Sequence, residues 1–346
     1  MEMIKKFFKL KILNNEILYI VKAAYIVLIL NLIFVQPLPA SENAGKMPDV
    51  NLIAQASLSQ TTIGVIIPGD IQYYRNMHGA FISKLDKEGY GARVKIFVQK
   101  PYPDHISMRN AIRKLAAMDV DLIVAYGTAA ALAAIDERTK IPIVYAGVYE
   151  PLMKDIKAKN ITGVSVKVPI SSLLRYLNEI KPISTLGVVY CMFEEESVHQ
   201  LKEVIQFSDH YKFKVEIINV HSPHDVIKLS SQLLGKSLDA IFITSSANVD
   251  SVSSAVIDIS RDRKIPAVSL LPHNKSWPMI ALFNSPEGQG VIAASAAVKI
   301  INGVPPSQIK RVTFADIELV FNPKEAMRIG LKLPINLMTE ATRLIE

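Results

Sequence analysis

The chain has 346 residues, half of them hydrophobic and 21% charged, with a net charge of +7 and a single cysteine. This length and apolar content describe a globular protein of two domains with real cores and exclude a disordered chain. One cysteine excludes an internal disulfide and a zinc–cysteine framework. With no block of Lys/Arg and interleaved aromatics, the charge does not point to nucleic acid.

Residues 1–40 differ in kind from the rest. Lysines at 5, 6, 9, 11 and 22 precede an apolar run from Ala23 to Val35 that ends in Pro37-Leu38-Pro39-Ala40. That order predicts a secretory signal cleaved after Ala40, or an N-terminal anchor if the segment is retained. The run of 13 residues is shorter than the roughly 20 needed to span a bilayer, which favours export. Removing residues 1–40 lowers the net charge to +4. Residues 41–60, rich in Ser, Asn, Ala and Gln, read as a flexible leader.

From Thr61 onward one strand–helix–strand pattern is written twice. The first copy runs through Ile63–Ile67, Val94–Phe97, Asp121–Tyr126 and Ile141–Tyr145; the second runs through Leu186–Tyr190, Val215–Ile218, Asp239–Thr244 and Ile265–Ser269. From Gly64 to Asp121 is 57 residues, and from Gly187 to Asp239 is 52, so the copies match in architecture, at a period too long for a solenoid. Short apolar runs alternating with helical segments such as 107–119 and 198–209 predict parallel sheets covered by helices. The expected fold is α/β, two Rossmann-like lobes joined by a multi-stranded hinge. Residues 61–167 plus 280–305 are assigned to lobe 1, and 168–279 plus 306–346 to lobe 2, with crossovers near Lys167–Pro169 and around Ile280–Phe283.

Ligands of open parallel sheets bind outside the carboxyl ends of the strands, so the loops there carry the site. After the third strand of copy one, Gly127-Thr128-Ala129-Ala130-Ala131 offers a glycine, a capping hydroxyl and small side chains that leave helix amides open to an anion; an ordinary N-cap explains the same residues. The corresponding loop of copy two is Ser245-Ser246-Ala247-Asn248. The loop after the first strand places Asp70, Tyr73, Tyr74 and Arg75 together: Asp70 either takes an ammonium or caps the next helix, while Tyr73 either stacks on a planar ligand or covers a helix flank. Tyr149 and Phe193 are further candidate ligand walls. Glu194, Glu195 and Glu196 read as favourable charge on the first turn of a helix rather than a metal site.

Enzyme motifs are weak. There is no GxGxxG after a strand, no GxxxxGK[ST], no GxSxG and no HExxH, so no catalytic residue, cofactor or metal is assigned. His221, His224 and Asp225 form the nearest acid/base cluster, ahead of a helix that Asp225 would cap. Cys191 at a strand end reads as a small buried hydrophobe, and Trp277 as either a packing or a cleft residue.

Several segments occur in an order that resembles the tryptophan/tyrosine-type substrate-binding proteins of ABC transporters, with the type I periplasmic-binding fold. They are Gly127-Thr128-Ala129-Ala130, Ile141–Ala146, Glu150-Pro151, Asn160–Ser165 and Lys299–Gly303. The resemblance covers about Thr61 to Pro334. It implies two lobes that close over a small ligand and deliver it to a membrane permease, in the periplasm or another extracytoplasmic space. Membrane contact would come through the permease or an uncleaved N-terminus; a membrane-anchored sensor with the same fold is the alternative. The resemblance also implies a ligand-carboxylate site at Thr128 and Ala129. An Asp-Asn pair of the family, suited to an amino group, is replaced here by Ser245-Ser246-Ala247-Asn248. Asp70 or Glu150 would then have to supply the acid.

Overall fold

A parallel sheet buried on both faces needs strands that are apolar at every position rather than at alternate ones. Leu122–Tyr126 and Ile143–Tyr149 meet that demand, being buried along their whole lengths. The computed structural model describes residues 60–69, 71–153, 156–273, 276–314 and 316–345. The expected signal or anchor at 1–40, the leader except Gln60, and Asp70 lie outside the described residues.

In chain order the elements are β1 (Thr61–Ile66), α1 (Gln72–Lys87), β2 (Val94–Gln99), α2 (His105–Ala117), β3 (Leu122–Tyr126), α3 (Thr128–Asp136), β4 (Ile143–Tyr149) and β5 (Ile161–Val166). The second copy follows as α4 (Ile170–Ile180), β6 (Thr185–Tyr190), α5 (Glu195–Tyr211), β7 (Lys214–Asn219), α6 (Val226–Leu234), β8 (Ala240–Ile243), α7 (Ala247–Asp262) and β9 (Ala267–Ser269). Last come β10 (Ile280–Asn284), α8 (Pro286–Ile301), β11 (Val312–Phe314), β12 (Ile317–Phe321), α9 (Pro323–Arg328), α10 (Ile335–Glu340) and β13 (Arg343–Leu344).

Two sheets result. The first has the order β11-β5-β4-β3-β1-β2 and is parallel throughout; the second has the order β13-β12-β10-β9-β8-β6-β7, with only the β10–β12 pair antiparallel. The duplicated pattern therefore forms two α/β lobes, the type I architecture expected from the sequence. Successive side chains of a strand point to opposite faces. Accordingly Leu122, Val124 and Tyr126 pack with α1 and α8, while Ile123 and Ala125 pack with α2 and α3.

The lobe boundaries need correction. Ile280–Asn284 was expected in lobe 1, but its register with β12, from Ile280 opposite Phe321 to Asn284 opposite Ile317, places it in the second sheet. The chain crosses after Asn284, and Val312–Phe314, expected in lobe 2, pairs with Val164–Val166 of the first sheet. Long-range pairing decides these assignments, and the local pattern of a short apolar run does not record its partner. Three crossovers then join the lobes, between β5 and α4, between β10 and α8, and between β11 and β12. Asn284 ties the last two together: its side-chain nitrogen donates to the carbonyls of Phe314 (3.0 Å) and Asp316 (3.1 Å).

Helix α8 returns to lobe 1 against α1, and the approach is close. A Cβ on Gly290 would overlap the Met77 carbonyl oxygen. Gly290, Ala293, Ala294 and Ala297, all buried, give this helix the small face that lets the two backbones meet.

Candidate functional site

The carboxyl ends of both sheets face one cleft, and the lobes touch across it. Thr128, first residue of α3 in lobe 1, donates its hydroxyl to Glu196 of α5 in lobe 2 at 2.6 Å. The same hydroxyl accepts from the Tyr149 backbone N–H at 3.1 Å. Tyr149 donates its phenol to Glu203 of the opposite lobe, and Asn248 donates its side-chain amide to the Pro103 carbonyl at 3.2 Å. Together these bonds define a closed arrangement.

Between the lobes lies a narrow pocket, drawn tight in this closed arrangement. Tyr73, Tyr74, Tyr149 and Ile71 line it from lobe 1; Glu196, Gln200, Ser245, Ser246, Leu270 and Leu271 from lobe 2; and Val166, Val168 and Asn284 from the crossovers. A wider and more open outer chamber adjoins it at Ile71, with Gln72, Arg75, Tyr102, Asp250 and His273 in its walls.

Helix α5 supplies the pocket's charge. Glu196 and Gln200 are one helical turn apart and Glu203 lies one turn further, so the three share one face; Glu196 and Glu203 reach lobe 1, while Gln200 bonds Ser245 of its own lobe. Glu195 points away and is exposed, whereas Glu194 and Glu196 are buried. Burial pushes the Glu196 carboxyl up to about 8, the Thr128 hydrogen bond opposing and the nearby Glu194 adding to the shift. Glu194 closes the other helix start: its carboxylate accepts from the N–H groups of Ala247 (2.9 Å) and Asn248 (3.1 Å) at the N-terminus of α7. In the outer chamber burial raises Asp250 to about 7 against the opposing charge of Arg75, and lowers His273 to about 4.

The structure brings together only some of the residues singled out from the sequence. Tyr73, Tyr149, Ser245 and Ser246 line the inner pocket. Thr128 and Ala129 lie beside it, in a separate recess with Phe193, Glu194 and Glu196, and the hydroxyl of Thr128 is committed to Glu196. Gly127 permits a close approach, but of Tyr74: its φ is +80°, and a Cβ there would overlap the Tyr74 phenol oxygen. Phe193 is two-thirds exposed and meets the His221 ring edge-on rather than walling the pocket. Asn248 holds Pro103 and Glu150 opens a short 3-10 turn, both outside the inner pocket.

The cluster at His221 is a helix cap. Asp225 accepts from the N–H groups of His221 (2.7 Å) and Ser222 (3.2 Å) in a capping box. Trp277 packs against Phe283 and His273 under the Arg343 guanidinium. No group of residues able to hold a metal occurs among the described residues.

Sequence reasoning read Glu196 as first-turn charge and missed Gln200, Asn284 and the buried Gln289, whose amide nitrogen donates to the Tyr73 phenol at 2.6 Å. The polar stripe 196/200/203 on a helix that follows a strand's carboxyl end was the available signal for Glu196 and Gln200.

Two α/β lobes, three crossovers and a pocket shared between the lobes define the architecture of the type I periplasmic-binding fold. Residues 62–345 match the model of the ABC transporter substrate binding protein family, and the chain belongs to that family, one of substrate-binding proteins and not of enzymes. It is thus a solute-binding protein of an ABC transporter. No curated protein matches it significantly.

Solved structures share its fold. An ABC domain from Streptococcus pneumoniae in complex with L-Trp has a TM-score of 0.77 at 22% identity, covering 83% of this chain and all of its own. A conserved domain protein from Vibrio cholerae has a TM-score of 0.76 at 20% identity, with the same coverage. The ligand-free, open structure of a substrate-binding protein with adhesive properties from Clostridium difficile has a TM-score of 0.59 at 24% identity, covering 83% of this chain and 99% of its own.

Proposed function

We propose that this protein captures a small aromatic, amino-acid-like ligand between its lobes by hinge closure, outside the cytoplasm, and delivers it to a membrane permease. The observation that carries the reading is the pocket itself. Three tyrosines, Tyr73, Tyr74 and Tyr149, line it with a few polar groups among apolar walls, the composition of a site that recognises an aromatic ring by its face and edge.

Closure contributes through burial. Lobe-to-lobe hydrogen bonds form only when the cleft shuts, so a ligand that fills the cleft shifts the population toward the closed state. The L-Trp bound by the Streptococcus relative makes aromatic amino acids the first ligands to try.

Calorimetric titration with aromatic amino acids and their analogues tests this reading, using wild type and Tyr149→Ala. Binding of one equivalent to wild type and at least tenfold weaker binding to the variant are expected. A well-folded protein that binds no aromatic compound would overturn it.

A further inference from the structure

The groups facing the inner pocket are unbalanced in one direction. It holds an acid, Glu196, and among the described residues lining it there is no lysine or arginine. The hydroxyl that would greet an anion is already donated to that carboxyl group by Thr128. The amides of Ala247 and Asn248, the other helix start read as an anion loop, are taken by Glu194.

A second observation is independent of the acids. Asn284 lines the pocket and is 1% exposed. Its side-chain nitrogen is held by the Phe314 and Asp316 carbonyls, which fixes the amide orientation and leaves the carbonyl oxygen as the free end, buried and without a partner. Gln289 repeats the arrangement behind Tyr73. It is fully buried, its nitrogen is donated to the Tyr73 phenol and to the Ser285 carbonyl, and its Oε1 has no donor. A buried acceptor left unmade is costly, of the order of 1–3 kcal/mol, and the Asn284 oxygen, the one of the two in the pocket wall, cannot be satisfied by a ligand that only accepts hydrogen bonds.

Resting on the reading above, we infer that the pocket is built for an aromatic amine, a ligand that brings N–H donors and positive charge and carries no carboxylate. The ammonium would lie against Glu196 and the Asn284 oxygen. The tyrosine faces beside it favour a cation as well as a ring. An ammonium there would favour the ionised form of Glu196, whereas a free carboxylate would find no cation among the described lining residues to pair with.

The test is a matched series on one ring: tryptamine, L-tryptophan and indole-3-propionate, titrated calorimetrically into wild type and Glu196→Gln. Tryptamine is expected to bind wild type at least tenfold tighter than L-tryptophan, with indole-3-propionate weakest. Glu196→Gln keeps the shape and an acceptor for Thr128; it is expected to weaken tryptamine at least tenfold and leave indole-3-propionate no weaker. L-tryptophan or indole-3-propionate binding as tightly as tryptamine, or tryptamine affinity in Glu196→Gln within twofold of wild type, would overturn the inference and leave the aromatic pocket standing. Silence from all three with the fold intact would overturn both.

Discussion

The hydroxyl of Thr128 and the carboxyl of Glu196 meet at 2.6 Å across the cleft, the first turn of one lobe's helix against the first turn of the other's. This contact joins the lobes, sits beside the ligand pocket and leaves Glu196 buried. Replacing Thr128 by Val keeps the volume and removes the donor. Glu196 then has no partner across the cleft, a loss of about 1–3 kcal/mol that falls on the closed state alone, because opening returns the carboxyl to water. The expected result is roughly tenfold weaker ligand binding and a larger radius of gyration by small-angle scattering, with little change in the melting temperature.

Stability should depend on pH through the same residue. Glu196, near 8, and Asp250, near 7, lie well above the ordinary 4.5 and 3.8 of their side chains, burial being the main cause in each. Between those ordinary values and the raised ones the closed form keeps protons that the open form releases. The stability of the closed state therefore falls as pH rises through about 4 to 8 and levels off above, with a slope of up to about 1.4 kcal/mol per pH unit for each group. Small-angle scattering at stepped pH measures this as opening of the cleft. Glu196→Gln should flatten the upper part of the curve.

Gly290→Ala tests how α8 is seated. The added methyl would overlap the Met77 carbonyl oxygen, and a backbone atom cannot rotate away. A loss of about 1–3 kcal/mol is expected, although alanine favours helix at an unconstrained position. Chemical denaturation of the variant gives the number.

Gly127→Ala acts on the pocket wall. Position 127 has a φ of +80° and lies under the Tyr74 phenol, so a methyl there strains the backbone and displaces the ring. Ligand affinity should fall at least tenfold by calorimetry. A variant that binds as wild type would show that Tyr74 has no part in the pocket.

The strands and their order were legible in the sequence because buried parallel strands are written as continuous apolar runs, and the two copies reinforce each other. Where β10 and β11 belong was not. Ile280–Asn284 and Val312–Phe314 carry no local mark of their partners, and only the pairings with Ile317–Phe321 and with Val164–Val166 assign them. The pocket was half legible: Tyr73, Tyr149 and the serine pair lie at strand ends, as the topology requires. Glu196 was read as ordinary first-turn charge because burial of one glutamate and exposure of its neighbour depend on a lobe some 70 residues away in sequence, Thr128 against Glu196. Asn284 and Gln289 became visible only once the crossovers were placed.

The central claim is that the lobes close over a ligand held between them, and a distance between the lobes tests it most directly. Spin labels at Asn110→Cys on α2 and Lys228→Cys on α6, both exposed positions, would be measured by pulsed electron resonance with and without a ligand that binds in calorimetry. The lone native cysteine, Cys191, is buried and leaves the labelling selective. Ligand should collapse a broad distribution onto its shortest component, and Thr128→Val should weaken that response. A distribution unchanged by a ligand that binds stoichiometrically would contradict the account.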